Sequence, residues 1–367
     1  MADPTLGFAP LDPWPEPVDG ESLLDQLAAT LARYVVLPTD ARDAIALWIM
    51  HAWAIDAAQH SPLLIISAPE KGSGKTTLGS LLGLLVPNPL PSANVTPAAL
   101  FRPVDEPLPT LIVDEADTFL GKRDELRGIV NSGHFKPQAF TLRKIGVGRR
   151  LYSTWGPKII IGIAASELNG TLLDRAIVIE MRRKTSAEPV EGMRVDKLLT
   201  ALEPLRRMAK RWVADHAQTL CDAEPEIPVE IQNRARDNWR PLLGIASTAG
   251  ASWGRRGFEV AGRMQRSAPD PSRDSPGVQL LEATRELFET EHLEFVPTSR
   301  LLAWLGARDD RPWEARGRAL TVQMLAKILR GYQVAPAHVR VGSGSSATVR
   351  GYERAGFADA FARYLSG

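Results

Sequence analysis

Four apolar residues, Leu63-Leu-Ile-Ile66, run straight into Ser67-Ala-Pro-Glu-Lys-Gly-Ser-Gly-Lys75-Thr76-Thr77, and apolar residues resume at Leu78. So short and continuous an apolar run reads as a strand buried on both faces, which belongs in a parallel sheet. Residues 76–85 read as the helix that follows. A strand, a glycine-rich turn and a helix in direct succession leave few choices beyond an α/β fold with the turn at the strand's C-terminal end. Gly72 and Gly74 free the backbone to turn its N–H groups inward, and the helix N-terminus adds partial positive charge, so the turn suits phosphate. Lys75 is expected to reach the β- and γ-phosphates of a nucleotide and the Thr76 hydroxyl to ligate Mg²⁺. Gly72, Ser73, Gly74, Lys75, Thr76 and Thr77 are therefore the candidate ATP-binding residues. Pro69 stands where the first glycine of G-x-x-x-x-G-K-T usually does.

A second apolar strand, Thr110–Val113, delivers Asp114 and Glu115 to its C-terminal end, 39 residues after Lys75. Asp114 is the candidate for the Mg²⁺ shell and Glu115 for orienting and activating an attacking water. Two further buried strands are expected at Lys158–Ala164 and Ala176–Met181. Ser166, just past the first of these, is the candidate for positioning the water, with Asn169 as the alternative. Leu172-Leu-Asp-Arg175 precedes the last strand. Arg175 reads either as a guanidinium aimed at a γ-phosphate or as an ion pair with Asp174.

The 44 Lys and Arg against 43 Asp and Glu leave a net charge of +1, so bulk charge names no partner, but its distribution is uneven. Between Gly121 and Ile160 nine basic residues meet two acids, and no acid lies between His134 and Lys158. Phe140–Lys144 and Arg149–Thr154 alternate around Gly146-Val147-Gly148, the pattern of a hairpin. Arg143, Lys144, Arg149 and Arg150 on such a hairpin suit a DNA backbone, with binding that is salt-sensitive and tolerant of sequence.

With 367 residues, two or three domains are expected. Apolar content of 44% and charged content of 24% exclude disordered, collagenous and coiled-coil classes. No apolar run approaches a membrane span, and the acidic N-terminus lacks the charge of a signal peptide. Cys221 is the sole cysteine, which excludes an intrachain disulfide and a cysteine-based zinc site. A cytoplasmic protein without membrane contact is expected. The division read from the chain is a Pro- and acid-rich flexible N-terminus over 1–20, an α/β core over 21–185, a helical lid over 186–266, a linker over 267–277 and a third region over 278–367. Helices are expected over 21–34, 40–59 (capped by Asp40), 195–221 and 229–249, then over 278–292, 299–305, 321–330 and 358–364. Strand-like segments around Gly342–Ser346 complete a winged-helix pattern. On its third helix Gln323, Lys327 and Arg330 share one face, and Lys327 and Arg330 are candidate DNA contacts.

The assembled set resembles an AAA+ ATPase. The acid pair on the second strand, the hairpin and the L-L-D-R before the last strand are similar to helicases of the superfamily-three and minichromosome-maintenance type. R-Y-V-V-L-P, A-L-W-I-M-H-A-W, S-A-P-E-K-G-S-G-K-T, L-R-G-I-V-N-S-G-H, R-A-R-D-N-W-R-P-L-L-G-I-A and R-G-Y-E-R-A-G-F-A-D-A-F-A-R-Y-L resemble the bacterial family called domain of unknown function 3631, between Arg33 and Leu365. The resemblance implies a ring, expected to be a hexamer, that hydrolyses ATP with Mg²⁺. It implies that Arg175 reaches the neighbouring subunit's γ-phosphate, and that the hairpin grips single-stranded or forked DNA. The setting it implies is replication of a phage, plasmid or integrated element, with a primase as a possible partner. The rival expectations are a protein remodeller or helicase loader, and an ATP-gated DNA-binding regulator or defence switch.

Overall fold

The structure is a computed structural model that describes residues 10–92, 108–114, 128, 131–145, 148–162, 170–268, 275–308, 313, 319–340 and 348–365. It divides into two units, Met1–Pro269 and Asp270–Gly367.

The first unit begins with two helices, α1 (Gly20–Tyr34) and α2 (Thr39–Trp53). Asp19 caps α1 by accepting from Ser22 N at 2.8 Å. Leu23, Leu24, Leu27, Ala28 and Leu31 form its buried stripe at helical spacing. The expected cap at Asp40 is not made: α2 starts one residue earlier without a side-chain cap, and Asp40 instead accepts from both Nε and Nη2 of Arg263 at 2.9 Å.

Then come β1 (Leu63–Ser67), α3 (Lys75–Leu85), β2 (Pro89–Ser92) and β3 (Thr110–Val113). The hairpin β4 (Phe140–Ile145) and β5 (Gly148–Ser153), β6 (Lys158–Ile161), the short α4 (Gly170–Leu173) and β7 (Ala176–Glu180) follow. Five strands form one parallel sheet in the order β2-β3-β6-β1-β7. Alternation sends Leu64 and Ile66 of β1 into the larger core and Leu63 and Ile65 into the smaller one beneath. Each fully buried aliphatic side chain of this kind contributes about 1.5–3 kcal/mol. The sequence pattern does not announce β2, whose four residues include Pro89 and Pro91; it survives because it is an edge strand paired only with β3.

Five helices complete this unit: α5 (Val195–Ala201), α6 (Glu203–Asp215), α7 (Ala217–Cys221), α8 (Asn233–Ala249) and α9 (Ala251–Ser267). Their apolar faces share the larger core with α1 to α3. Asp43, buried to 1% exposure on α2, is neutralised by both ends of the Arg256 guanidinium from α9. Residues 11–15 carry no regular structure but lie along α6, where Arg207, Lys210 and Arg211 donate to their backbone carbonyls.

The second unit packs α10 (Pro276–Thr290), α11 (Thr298–Gly306), α12 (Val322–Gly331) and α13 (Ala358–Tyr364) with an antiparallel sheet ordered β8 (Phe295–Pro297), β10 (Thr348–Glu353), β9 (Ala337–Arg340). Its core centres on Leu280, Phe288, Leu301, Leu325, Leu329, Tyr352 and Phe357. On α12 the buried Leu325 and Leu329 leave Gln323, Lys327 and Arg330 on the exposed side. Among the described residues no helix is long and apolar enough to cross a membrane.

Candidate functional site

At the C-terminal end of β1 the chain turns through residues 68–74 into α3. Gly72 and Gly74 have φ of 77° and 87°, left-handed conformations that a side chain would strain. Gly74 is the N-terminal boundary of α3, so the N–H groups of Lys75, Thr76 and Thr77 lie in the helix's first turn, where the helix itself offers no acceptor. Ser73 is 8% exposed, and its Oγ has no hydrogen-bond partner among the described residues. An unsatisfied buried hydroxyl costs about 1–3 kcal/mol.

A cleft of about 980 Å³ opens over this loop. Lys71 through Thr77 line one end together with Asp114, which follows the last residue of β3. Lys75 Nζ donates to Glu70 O at 3.3 Å, and Asp114 is tied through its amide to Ser92 O at 3.1 Å. All seven candidate nucleotide residues, Gly72 to Thr77 and Asp114, are thus brought to one cleft. Glu115, Ser166 and Asn169 lie outside the described residues.

Two further parts of the cleft lie outside the sequence motifs. Arg182 and Lys184 line it just beyond the C-terminal end of β7, and Arg183 Nε donates to Lys71 O at 2.8 Å, bracing the loop. Their signal is Met181-Arg-Arg-Lys184, a cation run where a parallel strand ends and ligands bind. Val35, Val36, Val190 and Met193 add apolar lining, beside Tyr34 and Glu191. The segments carrying them are joined by Glu191 N to Arg33 O at 3.0 Å and by an Arg33–Glu191 ion pair at 2.6 Å. That pair holds the Glu191 carboxyl below, and the Arg33 guanidinium above, their ordinary pKa values.

Arg175 sits elsewhere. It immediately precedes β7, and the register pairs Leu63 with Ala176 and Ser67 with Glu180. Arg175 therefore lies at the N-terminal edge of the sheet, and the glycine-rich loop at the opposite edge. Asp174, the alternative partner, is 3.9 Å from Arg234 instead, and Arg175 Nη1 donates to Thr171 O at 2.7 Å. Burial, and then the nearby Arg234 charge, lower the Arg175 pKa.

The hairpin forms over β4 and β5. Its register sets Arg143 opposite Arg150 and Lys144 opposite Arg149. Leu142 and Leu151, opposite each other one pair further on, are 58% and 50% exposed.

Residues 180–364 match a protein family described as protein of unknown function (DUF3631). The match covers α5 to α9 and the second unit as far as residue 364, and it begins after the glycine-rich loop. A protein of Saccharopolyspora erythraea, described as an uncharacterized 28.9 kDa protein in the xis 5′ region, is 32% identical over 185 residues, which span 50% of this chain and 68% of the relative. Among solved structures, the A-form apo structure of the NrS-1 C-terminal region superposes with a TM-score of 0.49 at 13% identity, covering 94% of this chain and 79% of that one. A second A-form apo structure, of residues 305–718, gives a TM-score of 0.45 at 13% identity over 96% and 78%. With the family match covering half of its residues, the chain belongs to the DUF3631 family.

Proposed function

We propose that the protein is an ATP-hydrolysing, ring-forming motor of the AAA+ type that translocates on or unwinds DNA during replication of a mobile element. The observation that carries the ATP reading is the mixed lining of the cleft over the glycine-rich loop. Its lining holds two left-handed glycines, a buried hydroxyl without a partner among the described residues, Lys75, Thr76 and Asp114, together with the apolar Val35, Val36, Val190 and Met193. Such a cleft fits a nucleotide with its phosphates over the loop.

In this reading the amides of residues 72–77 and Lys75 hold the phosphates, while Arg182 and Lys184 add positive charge near them. Thr76 and Asp114 would hold Mg²⁺, which neutralises the phosphate charge during transfer. Glu115 takes the proton of the attacking water, and Ser166 orients that water. Arg175 lies at the other edge of the sheet from its own loop, which supports a role on a neighbour's nucleotide and is the reason for proposing a ring, with six copies as the expected number. Arg143, Lys144, Arg149 and Arg150 grip DNA phosphates, and Lys327 and Arg330 on the exposed face of α12 provide a second contact in a winged-helix-like unit. The setting rests on the family resemblance and on the xis 5′ position of the Saccharopolyspora erythraea relative. A primase is the partner such a replication role calls for.

The test is ATP hydrolysis by the purified chain with and without single-stranded DNA. Hydrolysis stimulated by DNA is expected, with Lys75→Ala losing nucleotide binding and Glu115→Gln binding ATP without turnover. Hydrolysis indifferent to DNA transfers the assignment to a protein remodeller or helicase loader. Tight binding without turnover transfers it to an ATP-gated regulator.

A further inference from the structure

Three segments that the sequence sets far apart meet at the N-terminal edge of the parallel sheet. The first is the root of the hairpin. His134 O accepts from Ser61 N, and Lys136 N donates to Gln59 O, both at 2.9 Å, and the His60 ring stacks on Phe135 at 4.8 Å. The root is thereby fixed to the chain entering β1. The second is the turn that carries Arg175, closed by Asp174 N to Gly170 O at 2.9 Å and by Arg175 Nη1 to Thr171 O. The third is α8, whose Asn238 is 3% exposed and sits one turn after Arg234.

Asn238 bonds to both of the others. Its Nδ2 donates to Asp174 O at 3.0 Å, and its Oδ1 lies 2.7 Å from His134 Nε2. The chemistry allows only one assignment. A backbone carbonyl can only accept, so the amide nitrogen faces Asp174 and the amide oxygen faces His134. His134 must then carry its proton on Nε2. Burial holds the ring's pKa down to about 4, so it is neutral and Nδ1 bears no proton. Asparagine donates and accepts from one short planar group. An aspartate in its place can accept but not donate, and an alanine can do neither.

We propose that Asn238 is a positioning residue that locks the Arg175 turn to the root of the basic hairpin, so that a displacement of the hairpin is transmitted to Arg175. The link to turnover rests on the ATPase reading given above; the mechanical link does not. The bond to His134 is buried and the bond to Asp174 partly so, and an unmade bond at a buried group is costly, which favours keeping the junction closed.

Hydrogen exchange on the full chain tests the link without reference to activity. His134→Ala removes only the hairpin side of the junction. It is expected to speed exchange at the amides of Asp174 and Arg175 by about five- to tenfold. In an Asn238→Ala background the same substitution is expected to add nothing further there. Asn238→Asp keeps the acceptor for His134 and loses the donor for Asp174. It should deprotect Asp174 and Arg175 while leaving the Ser61 amide, bonded to His134 O, protected. A local packing role would loosen both together. If His134→Ala leaves exchange at Asp174 and Arg175 unchanged, the proposal is overturned, whether or not the protein hydrolyses ATP, and that variant decides even where a substitution at 238 fails to fold. The activity arm expects Asn238→Ala to keep nucleotide affinity, to lower turnover as far as Arg175→Ala does, and to add no loss to Arg175→Ala. Losses that multiply would also overturn it. A wild-type chain without turnover sinks the ATPase reading alone, because the exchange result still stands.

Discussion

Arg175→Ala separates a residue that serves its own nucleotide from one that serves a neighbour's. Five register pairs, from Leu63↔Ala176 to Ser67↔Glu180, lie between Arg175 and the loop. At about 3.3 Å per residue, those strands alone separate the two edges by roughly 13 Å. Arg175 is also turned back onto its own helix by the bond to Thr171 O. A guanidinium supplied in trans to a transferring phosphoryl group is worth about 10³–10⁵ in turnover, or roughly 4–7 kcal/mol. Arg175→Ala is expected to lose most of that while retaining nucleotide affinity. Mixing it with Lys75→Ala restores a working site wherever an Arg175→Ala subunit, with its intact loop, faces the Arg175 of a Lys75→Ala neighbour. In randomly mixed rings at equal ratio about a quarter of the interfaces meet that condition, so turnover should rise to roughly a quarter of wild type. Particle mass in ATP establishes that the mixed rings form. If they form and turnover stays at the sum of the separate mutants, Arg175 works within its own subunit or only holds its turn.

The triple change of Lys144, Arg149 and Arg150 to Ala is expected to weaken DNA binding alike on unrelated sequences. It should reduce the slope of log affinity against log salt by about 2 for single strands, while basal ATP hydrolysis persists; an unchanged slope and affinity would move the hairpin away from DNA. Burial lowers the pKa of His51 to about 3 and that of His134 to about 4, the latter also opposed by His60 and Arg175 and favoured by Asn238 and Asp237. Since the unfolded chain protonates first, near 6.5, stability falls as pH drops from 6.5 toward 4, with each ring contributing up to about 1.4 kcal/mol per pH unit. Melting temperature from pH 7 to 5 checks this. His134→Gln, which keeps a donor for Asn238, should flatten the curve, and equal slopes in the two proteins would contradict the assignment.

The glycine-rich loop is legible in the sequence because its parts are contiguous. A buried strand, two glycines that must be left-handed, a lysine and a threonine at a helix start obey local rules, and the fold had only to leave them open. The strands carrying Asp114 and Arg175 were legible for the same reason, as was the alternation that makes the hairpin. The strand of Pro89–Ser92 was not, because proline excludes a central strand and only the order of the sheet shows that this one is an edge. The helix Ala251–Ser267 was missed as well. Three glycines interrupt it, and one of them, Gly257, lies against Ala246, where α8 and α9 cross.

The sequence by itself determined the chemistry at hand: which groups can hold phosphate, which carboxylates stand ready at a strand end, and where cations gather. Only the tertiary structure decided which of them face one another. Parallel pairing of β7 with β1 puts Arg175 and the loop at opposite edges of one sheet while bringing Arg182 and Lys184 to the cleft. Asn238 is an ordinary polar residue on an ordinary helix until that helix lands between residues 104 and 64 positions away, and no local pattern records the landing. Backbone conformation depends on neighbours in the chain, so a motif can be read. Contact between distant side chains depends on how the whole core packs, which no window of the sequence contains.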